Sequence, residues 1–305
     1  MQNHYIRRHV EAEGGRYESN RQSRMGLVDT LLRETSYFLV DLERVSPPPS
    51  PFDEGKAVQQ CLQGTYDNRE AGSWVYLHLF GHAVRQASAI GLLMEESCVR
   101  EGFQLWRSLF EAYVICEFLN SCREDPQIFR DYICCNLLRA WIQHRGRYNA
   151  LLRARGKQPH YDELEIDKWK RVFEGRFECK VRDDYSWAKG RLGLGKRPTF
   201  KEISDVAGVD DLMILYYFGS KEIHPTLGHR FVLADDSLPL RMMPMMPVND
   251  AIGELDLDYL TVKPLIETTG RADAFLSLDS SSLQRLESLS GVGEKVLGQM
   301  EENTI

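Results

Sequence analysis

The sequence predicts an all-α protein, a multi-helix bundle of long antiparallel helices. Three observations lead to this prediction. Apolar residues recur at helical spacing through most of the chain, and one central segment is apolar almost all the way around the helix. The alternation of apolar and polar residues that is typical of strands never extends beyond a few residues. At most two very short strands are expected, at 180–182 and 230–233, because only there does a brief alternating pattern occur.

The first predicted helix, 26–44, ends where a proline-rich stretch begins at 46–51, since proline lacks an amide hydrogen and disfavours helix in the preceding residue. Ser73 is the expected N-cap of the next helix. Between the central helices, 185–198 is rich in glycine and basic residues and predicts a surface loop. The remaining predicted helices are 73–93, 95–119, 126–154, 162–176, 200–207, 210–224, 250–276 and 281–300.

A second irregular stretch, 241–247, contains four methionines and two prolines. With the proline-rich stretch 46–51 it divides the chain into an N-terminal helical arm (1–50), a central helical domain (51–240) and an acidic helical extension (241–305). We expect a cytoplasmic protein. The N-terminus is polar and basic with no apolar core after it, and no apolar run reaches membrane-spanning length. The seven cysteines are odd in number and form no Cys-x-x-Cys pair, which favours reduced core thiols over disulfides or zinc.

The net charge of −7 is unevenly distributed. Segment 139–201 carries about twice as many Lys and Arg as Asp and Glu, so the flanking chain is strongly acidic. Such a basic middle either binds RNA or another phosphate ligand, or docks on the chain's own acidic segments. The acidic C-terminal helices could in turn bind a protein partner or a second copy.

Residues 103–119, FQLWRSLFEAYVICEFL, place Arg107 and Glu111 four apart and therefore on one helical face. Their neighbours are apolar, and an ion taken out of water costs several kcal/mol unless it is paired and hydrogen-bonded. The pair predicts either a clasp that fixes helix packing or a functional pocket.

Residues 212–230, LMILYYFGSKEIHPTLGHR, place Tyr216, Ser220 and His224 on one stripe of a helix that ends before Pro225. An imidazole, a hydroxyl and nearby cations could act on a phosphate or carboxylate ligand, although a helix end capped by His224 is an alternative. We predict that this stripe meets Arg107 and Glu111 in one polar cluster. The neighbouring candidates for binding a ligand are Lys221, His229 and Arg230.

Two weaker patterns involve other histidines. His78 and His82 are four apart, a spacing that can place two imidazoles on one metal, but no third ligand is evident, so no metal or cofactor is predicted. Arg139 and His144 match the Arg-x4-6-His signature of helical HEPN ribonucleases, in which histidine moves a proton and arginine holds the phosphate. A two-residue pattern is also frequent by chance.

Three stretches together carry a resemblance: RSLFEAYVICEFL, DYSWAKGRLGLGKRPTFKEISDVAGV and YYFGSKEIHPTLGH. In this order they resemble the bacterial family called domain of unknown function 5677, over roughly residues 70–235. The resemblance implies an all-helical fold and brings no established activity. A similarity in style to HEPN-like proteins of toxin–antitoxin and phage-defence systems adds a ribonuclease role by analogy.

These observations give two functional hypotheses. The first is a non-catalytic interaction or regulatory module, in which the polar cluster is structural. The alternative is a metal-independent HEPN-like ribonuclease or phosphate-ligand enzyme, in which Arg107 would meet the anion and His224 would carry the proton. The sequence does not decide whether the chain is an enzyme.

Overall fold

The computed structural model describes residues 54–95, 98–209, 213, 216–217, 261, 264–272 and 274. Regular structure within these residues is helical throughout and includes no strand, which confirms the all-α prediction. The helices are α1 (Glu54–Gln63), α2 (Asn68–Glu95), α3 (Val99–Ser121), α4 (Pro126–Ala154), α5 (Glu163–Phe177), α6 (Lys189–Leu192) and α7 (Phe200–Ala207). The helices predicted at 26–44 and 281–300, the strand at 230–233 and the arm at 1–50 lie outside the described residues.

Helices α4 and α7 begin and end at the predicted residues, whereas α2 begins five residues earlier than predicted. The prediction of Ser73 as N-cap was wrong. The Asp67 carboxylate accepts a hydrogen bond from the Glu70 amide at 2.8 Å and caps the helix, while the Ser73 hydroxyl donates to the Arg69 carbonyl one turn further on. The first turn of α2 is polar, so the apolar periodicity starts later than the helix.

Two local predictions before α7 also need correction. Residues 180–182 form a turn, not a strand, because the Asp183 carboxylate accepts a hydrogen bond from the Lys180 amide at 2.9 Å. The stretch 185–198 contains a 3-10 turn, Ser186–Ala188, followed by α6, and is not wholly a surface loop. Trp187 is buried there, with its ring 5.5 Å from that of Phe118 and 5.0 Å from that of Tyr132.

The chain divides into two compact units. The described part of unit 1 comprises 79–113 and the described residues after 214, and its interior contains Trp106 stacked on Phe110 at 5.2 Å. Unit 2 comprises 54–78 and 114–213 of the described residues, and in it α4 packs against α1, α5 and the 3-10 turn. The predicted division at residues 50 and 240 stays a prediction.

All seven cysteines are described, and all are free thiols. Six are buried, and Cys98 is half-buried. Burial raises the pKa of Cys61 to about 11 and the pKa values of Cys134 and Cys135 to about 12, because the thiolate loses its hydration. Of the helices described, none combines the length and the apolar character needed to cross a membrane.

Candidate functional site

In unit 1, the structure brings Arg107 and Tyr216 together although they are 109 residues apart. The Arg107 Nη2 group donates a hydrogen bond to the Tyr216 hydroxyl at 2.7 Å, and the guanidinium carbon lies 4.7 Å from the centre of the Tyr216 ring. Arg107 Nη1 lies 3.7 Å from Glu111 Oε2. The contact joins α3 to the helical residues at 216–217.

The surroundings of this contact are aromatic. Phe110, between Arg107 and Glu111 on α3, has its ring 6.0 Å from that of Tyr216. The Arg107 and Glu111 side chains are only 29% and 27% exposed. At this depth an unpaired ion would be costly, and the ion pair, the hydrogen bond and the ring contact together offset that cost. The geometry is that of an inter-element clasp.

The other predicted members of the cluster lie outside the described residues: Ser220, Lys221, His224, His229 and Arg230. Their roles therefore stay predictions.

On α2, His78 is exposed, whereas His82 is half-buried and shares a hydrogen bond of 3.0 Å with Ser108 of α3. Within the described residues, no group of three or more His, Cys, Asp or Glu side chains has the geometry to hold a metal ion. The contact between His82 and Ser108 was not predicted. A signal was present, since the two residues lie on consecutive helices joined by a short connection, and antiparallel packing places such helices side by side.

Unit 2 contains a cavity of about 910 Å³ between α1, α4 and α5. Its lining is mostly aromatic and aliphatic, with a few polar groups: Gly55, Val58, Gln59, Leu137, Leu138, Ala140, Trp141, His144, Arg145, Tyr161, Glu165 and Trp169. A concave site of this kind, apolar with few polar groups, is typical of ligand pockets.

Arg145 is the central cation of this cavity. Its guanidinium carbon lies 3.8 Å from the centre of the Trp141 ring and 4.7 Å from that of Tyr161. Arg145 Nη1 and Glu165 Oε2 are 3.8 Å apart, which is an ion pair but too long for a hydrogen bond. In the described part of the chain, Arg145 makes no hydrogen bond, so stacking fixes the orientation of a guanidinium whose donors are not used.

Asn149 fixes the cavity wall formed by Tyr161. Its side chain is buried on α4, where Oδ1 accepts hydrogen bonds from the His160 and Tyr161 amides at 3.0 Å each. Nδ2 donates to the Tyr161 carbonyl at 2.8 Å. The loop before α5 is therefore tied to α4 by one side chain, and this places Tyr161 against Arg145.

The structure separates Arg139 from His144. Arg139 donates a hydrogen bond to Asp184 at 2.8 Å and another to Asn136 at 3.3 Å, whereas His144 is exposed and lines the cavity beside Arg145. Five residues of α-helix correspond to a rotation of about 140°, so the two side chains leave α4 in different directions. The arginine near His144 is Arg145, its direct neighbour in sequence.

Within the described residues, the cations of basic segment 139–201 pair with carboxylates of the segment itself or of adjacent sequence. These ion pairs are Arg139–Asp184, Arg145–Glu165, Arg153–Glu163, Arg176–Asp131, Lys189–Glu178, Lys196–Glu202, Arg197–Asp183 and Lys201–Asp205. The exposed pairs among them contribute little to stability. The distant acidic segments lie mostly outside the described residues, so docking on them stays a prediction.

Comparison with known proteins identifies one family. The model of a family of unknown function, DUF5677, matches residues 73–237, more than half of the chain, and confirms the predicted resemblance. No curated protein and no solved structure matches the chain. The matched region contains both Arg107 and Arg145, and the family's description carries no activity.

Proposed function

The chain belongs to the DUF5677 family of unknown function, and we propose that it acts by binding a partner, as a non-catalytic interaction or regulatory module. The observation that carries this proposal is the set of partners around Arg107. The Arg107 guanidinium forms an ion pair with Glu111, donates a hydrogen bond to the Tyr216 hydroxyl and lies over the Tyr216 ring. A catalytic arginine directs its donors at the charge that develops on a substrate, whereas Arg107 directs a donor at Tyr216 and so joins two elements.

The last two turns of α4 support a binding role. Tyr148 and Leu151 are exposed there, and two exposed cations are close in sequence, Arg147 on α4 and Arg155 at its C-cap. An aromatic and an aliphatic residue surrounded by arginines is a composition typical of interface centres. Its charge favours a protein partner with an acidic surface.

The test separates a structural cluster from a catalytic one. We expect the wild-type protein to leave RNA uncleaved and a bacterial host unharmed, and Arg107→Met to lower the melting temperature. Arg153→Met, which removes an exposed arginine of α4, is the matched control and should change the melting temperature little. Cleavage of RNA by the wild-type protein that Arg107→Met abolishes without a loss of stability would contradict the proposal.

A second candidate is a metal-independent HEPN-like ribonuclease or phosphate-ligand enzyme of a toxin or phage-defence system. The observation that favours it is His144, an exposed imidazole on the wall of the cavity that also contains Arg145. Histidine can move protons near neutral pH, and arginine can hold a phosphate. For this candidate, His144→Ala must abolish cleavage of RNA while His160→Ala, an exposed histidine outside the cavity lining, must not.

A further inference from the structure

We propose that the cavity between α1, α4 and α5 binds a small aromatic anion, that is, a ligand that joins a flat ring system to a carboxylate or phosphate group. The ligand class follows from the cation, the walls and the charges of the cavity. The inference goes beyond the proposed function and does not depend on it, because the cavity lies within unit 2, whereas the Arg107 contact belongs to unit 1.

The anionic group is inferred from Arg145. Stacking on Trp141 and Tyr161 holds its guanidinium in one orientation, and the side chain is only 30% exposed. Within the described residues its charge is opposed by Glu165 alone, at 3.8 Å, with no hydrogen bond formed. A planar guanidinium with unused donors matches a carboxylate or a phosphate, which it can bind through two parallel hydrogen bonds.

The flat ring system is inferred from the walls. The rings of Trp141 and Trp169 lie 6.2 Å apart at 67°, so the cavity presents aromatic surfaces in two directions. Val58, Leu137 and Leu138 complete an apolar lining. The volume of about 910 Å³ is within the range of small-molecule pockets, and an aromatic ligand could stack on these surfaces.

The charges in the cavity argue against a cationic ligand. An aromatic box can bind an organic cation, but Arg145 already lies over one face of Trp141 and one face of Tyr161, and its charge would repel a second cation. His144 adds a hydrogen-bond donor in either charge state. Lys168 is exposed and is not among the lining residues, and its ammonium lies 5.9 Å from the Trp169 ring.

Among the described residues of the lining, Glu165 is the one carboxylate, and it would compete with the ligand for Arg145. It is 48% exposed and makes no hydrogen bond to Arg145, so it can turn towards solvent when an anion arrives. Removal of the Glu165 charge should therefore change the affinity for an anion, which would not be expected if the ion pair were purely structural. Glu165→Gln should strengthen binding of an anion, because it removes the competing charge.

The experiment uses the full chain and follows tryptophan fluorescence and calorimetric titration. The probes are adenosine monophosphate and 2-naphthoate, which carry a phosphate and a carboxylate respectively. Adenosine provides a ring without the charge, and inorganic phosphate the charge without a ring. We expect the ring-bearing anions to bind at least about tenfold more tightly than adenosine or phosphate, since a charge-assisted hydrogen bond alone accounts for about that factor. Whether the phosphate or the carboxylate probe binds more tightly identifies the preferred anion.

The variants test the assignment to residues. Arg145→Gln should weaken binding of the ring-bearing anions at least about tenfold, and Glu165→Gln should strengthen it by about threefold. Arg153→Gln, on the same helix but outside the cavity, is the matched control and should leave affinity unchanged. Circular dichroism verifies that each variant is folded, and Ala140→Trp, which fills the cavity from an exposed position, gives a second way to block it.

Three results would each overturn the proposal. The wild-type chain could fail to bind either ring-bearing anion at millimolar concentration. Adenosine could bind as tightly as its monophosphate. A folded Arg145→Gln variant could bind as tightly as the wild type. None of these results bears on whether Arg107 is structural, so the two proposals fail separately.

Discussion

Arg107 and Arg145 have closely similar surroundings but differ in the hydrogen bonds that they donate. Each is about 30% exposed, lies 4.7 Å from the centre of a tyrosine ring and faces a glutamate at 3.7 or 3.8 Å. Arg107 also donates a hydrogen bond of 2.7 Å to its tyrosine, whereas in the described residues Arg145 donates none and lines a cavity. Burial and an ion pair therefore do not distinguish a clasp from a binding site. The two are distinguished by whether the guanidinium donates a hydrogen bond to a neighbouring side chain.

The largest effect that we expect is a loss of stability of the Arg145 region at alkaline pH. Cys61 of α1 and Cys134 and Cys135 of α4 have pKa values raised by burial to about 11 or 12 from 9.0, and both helices line the cavity. A pKa raised in the folded state gives stability that is present below pH 9 and is lost as the pH rises towards 11. Urea unfolding between pH 8 and 11 measures this, and a flat profile would contradict it.

The matched control replaces the same thiols. Cys61→Ala together with Cys134→Ala should make the alkaline decline shallower, because two groups that ionise on unfolding have been removed. The protein should be somewhat less stable at pH 8, since two buried side chains become smaller.

The next largest effect concerns the wall of the Arg145 cavity. Asn149→Ala removes three hydrogen bonds to residues 160 and 161 and leaves two backbone amides without this acceptor. We expect a loss of about 2–3 kcal/mol in the free energy of unfolding, measured by chemical denaturation. Binding of the ring-bearing anions should weaken as well, because Tyr161 loses its tether. Unchanged stability would show that the loop is held by other contacts.

Arg107→Met and Arg145→Met test the comparison directly. We expect Arg107→Met to cost about 2 kcal/mol, since it removes this cation from Glu111 and this donor from the Tyr216 hydroxyl. Arg145→Met should cost less than about 1 kcal/mol, the scale of an exposed cation–π contact. The measurement is the free energy of unfolding of both variants under one condition. Equal losses would remove the distinction between clasp and site.

A smaller effect than that of Arg107→Met is expected for Tyr216→Phe. The ring contacts to Arg107 and Phe110 can persist, and only the hydrogen bond of 2.7 Å is lost. We expect a loss of about 1 kcal/mol, seen as a lower melting temperature. Tyr217→Phe, at an exposed position next in sequence, is the control and should have no effect. A loss for Tyr216→Phe as large as that for Arg107→Met would show that the hydroxyl, not the ion pair, dominates the clasp.

The bounds of α4 and α7 were predictable because strong local signals flank them. Asp125 caps α4, while Thr199 and Glu202 form a capping box at the start of α7, and Gly208 ends it with a positive φ of 71°. The contact of Arg107 with Tyr216 was also accessible, since a charge in an apolar helix must find a partner.

The cavity was not predictable, because its walls come from separate elements whose pairing a single sequence does not reveal. Trp141 and Trp169 each fit an ordinary apolar stripe, and only the packing of α4 against α5 makes them face one space. Helix α1 was missed for a different reason. It is largely polar, and few of its side chains, such as Ala57 and Cys61, are buried. His144 was identified, but as a partner of Arg139 and not of the adjacent Arg145.

The position of the Asn149 tether determines where the loop before α5 can accept extra residues. Because Asn149 binds the chain at 160 and 161, the last residues before α5, the exposed stretch 156–159 carries no part of that anchor. Relatives with extra residues in this stretch should keep the same helical register, since an added loop of several residues has a small entropic cost. Length variation there is expected to be neutral, whereas replacement of the single amide at position 149 is not.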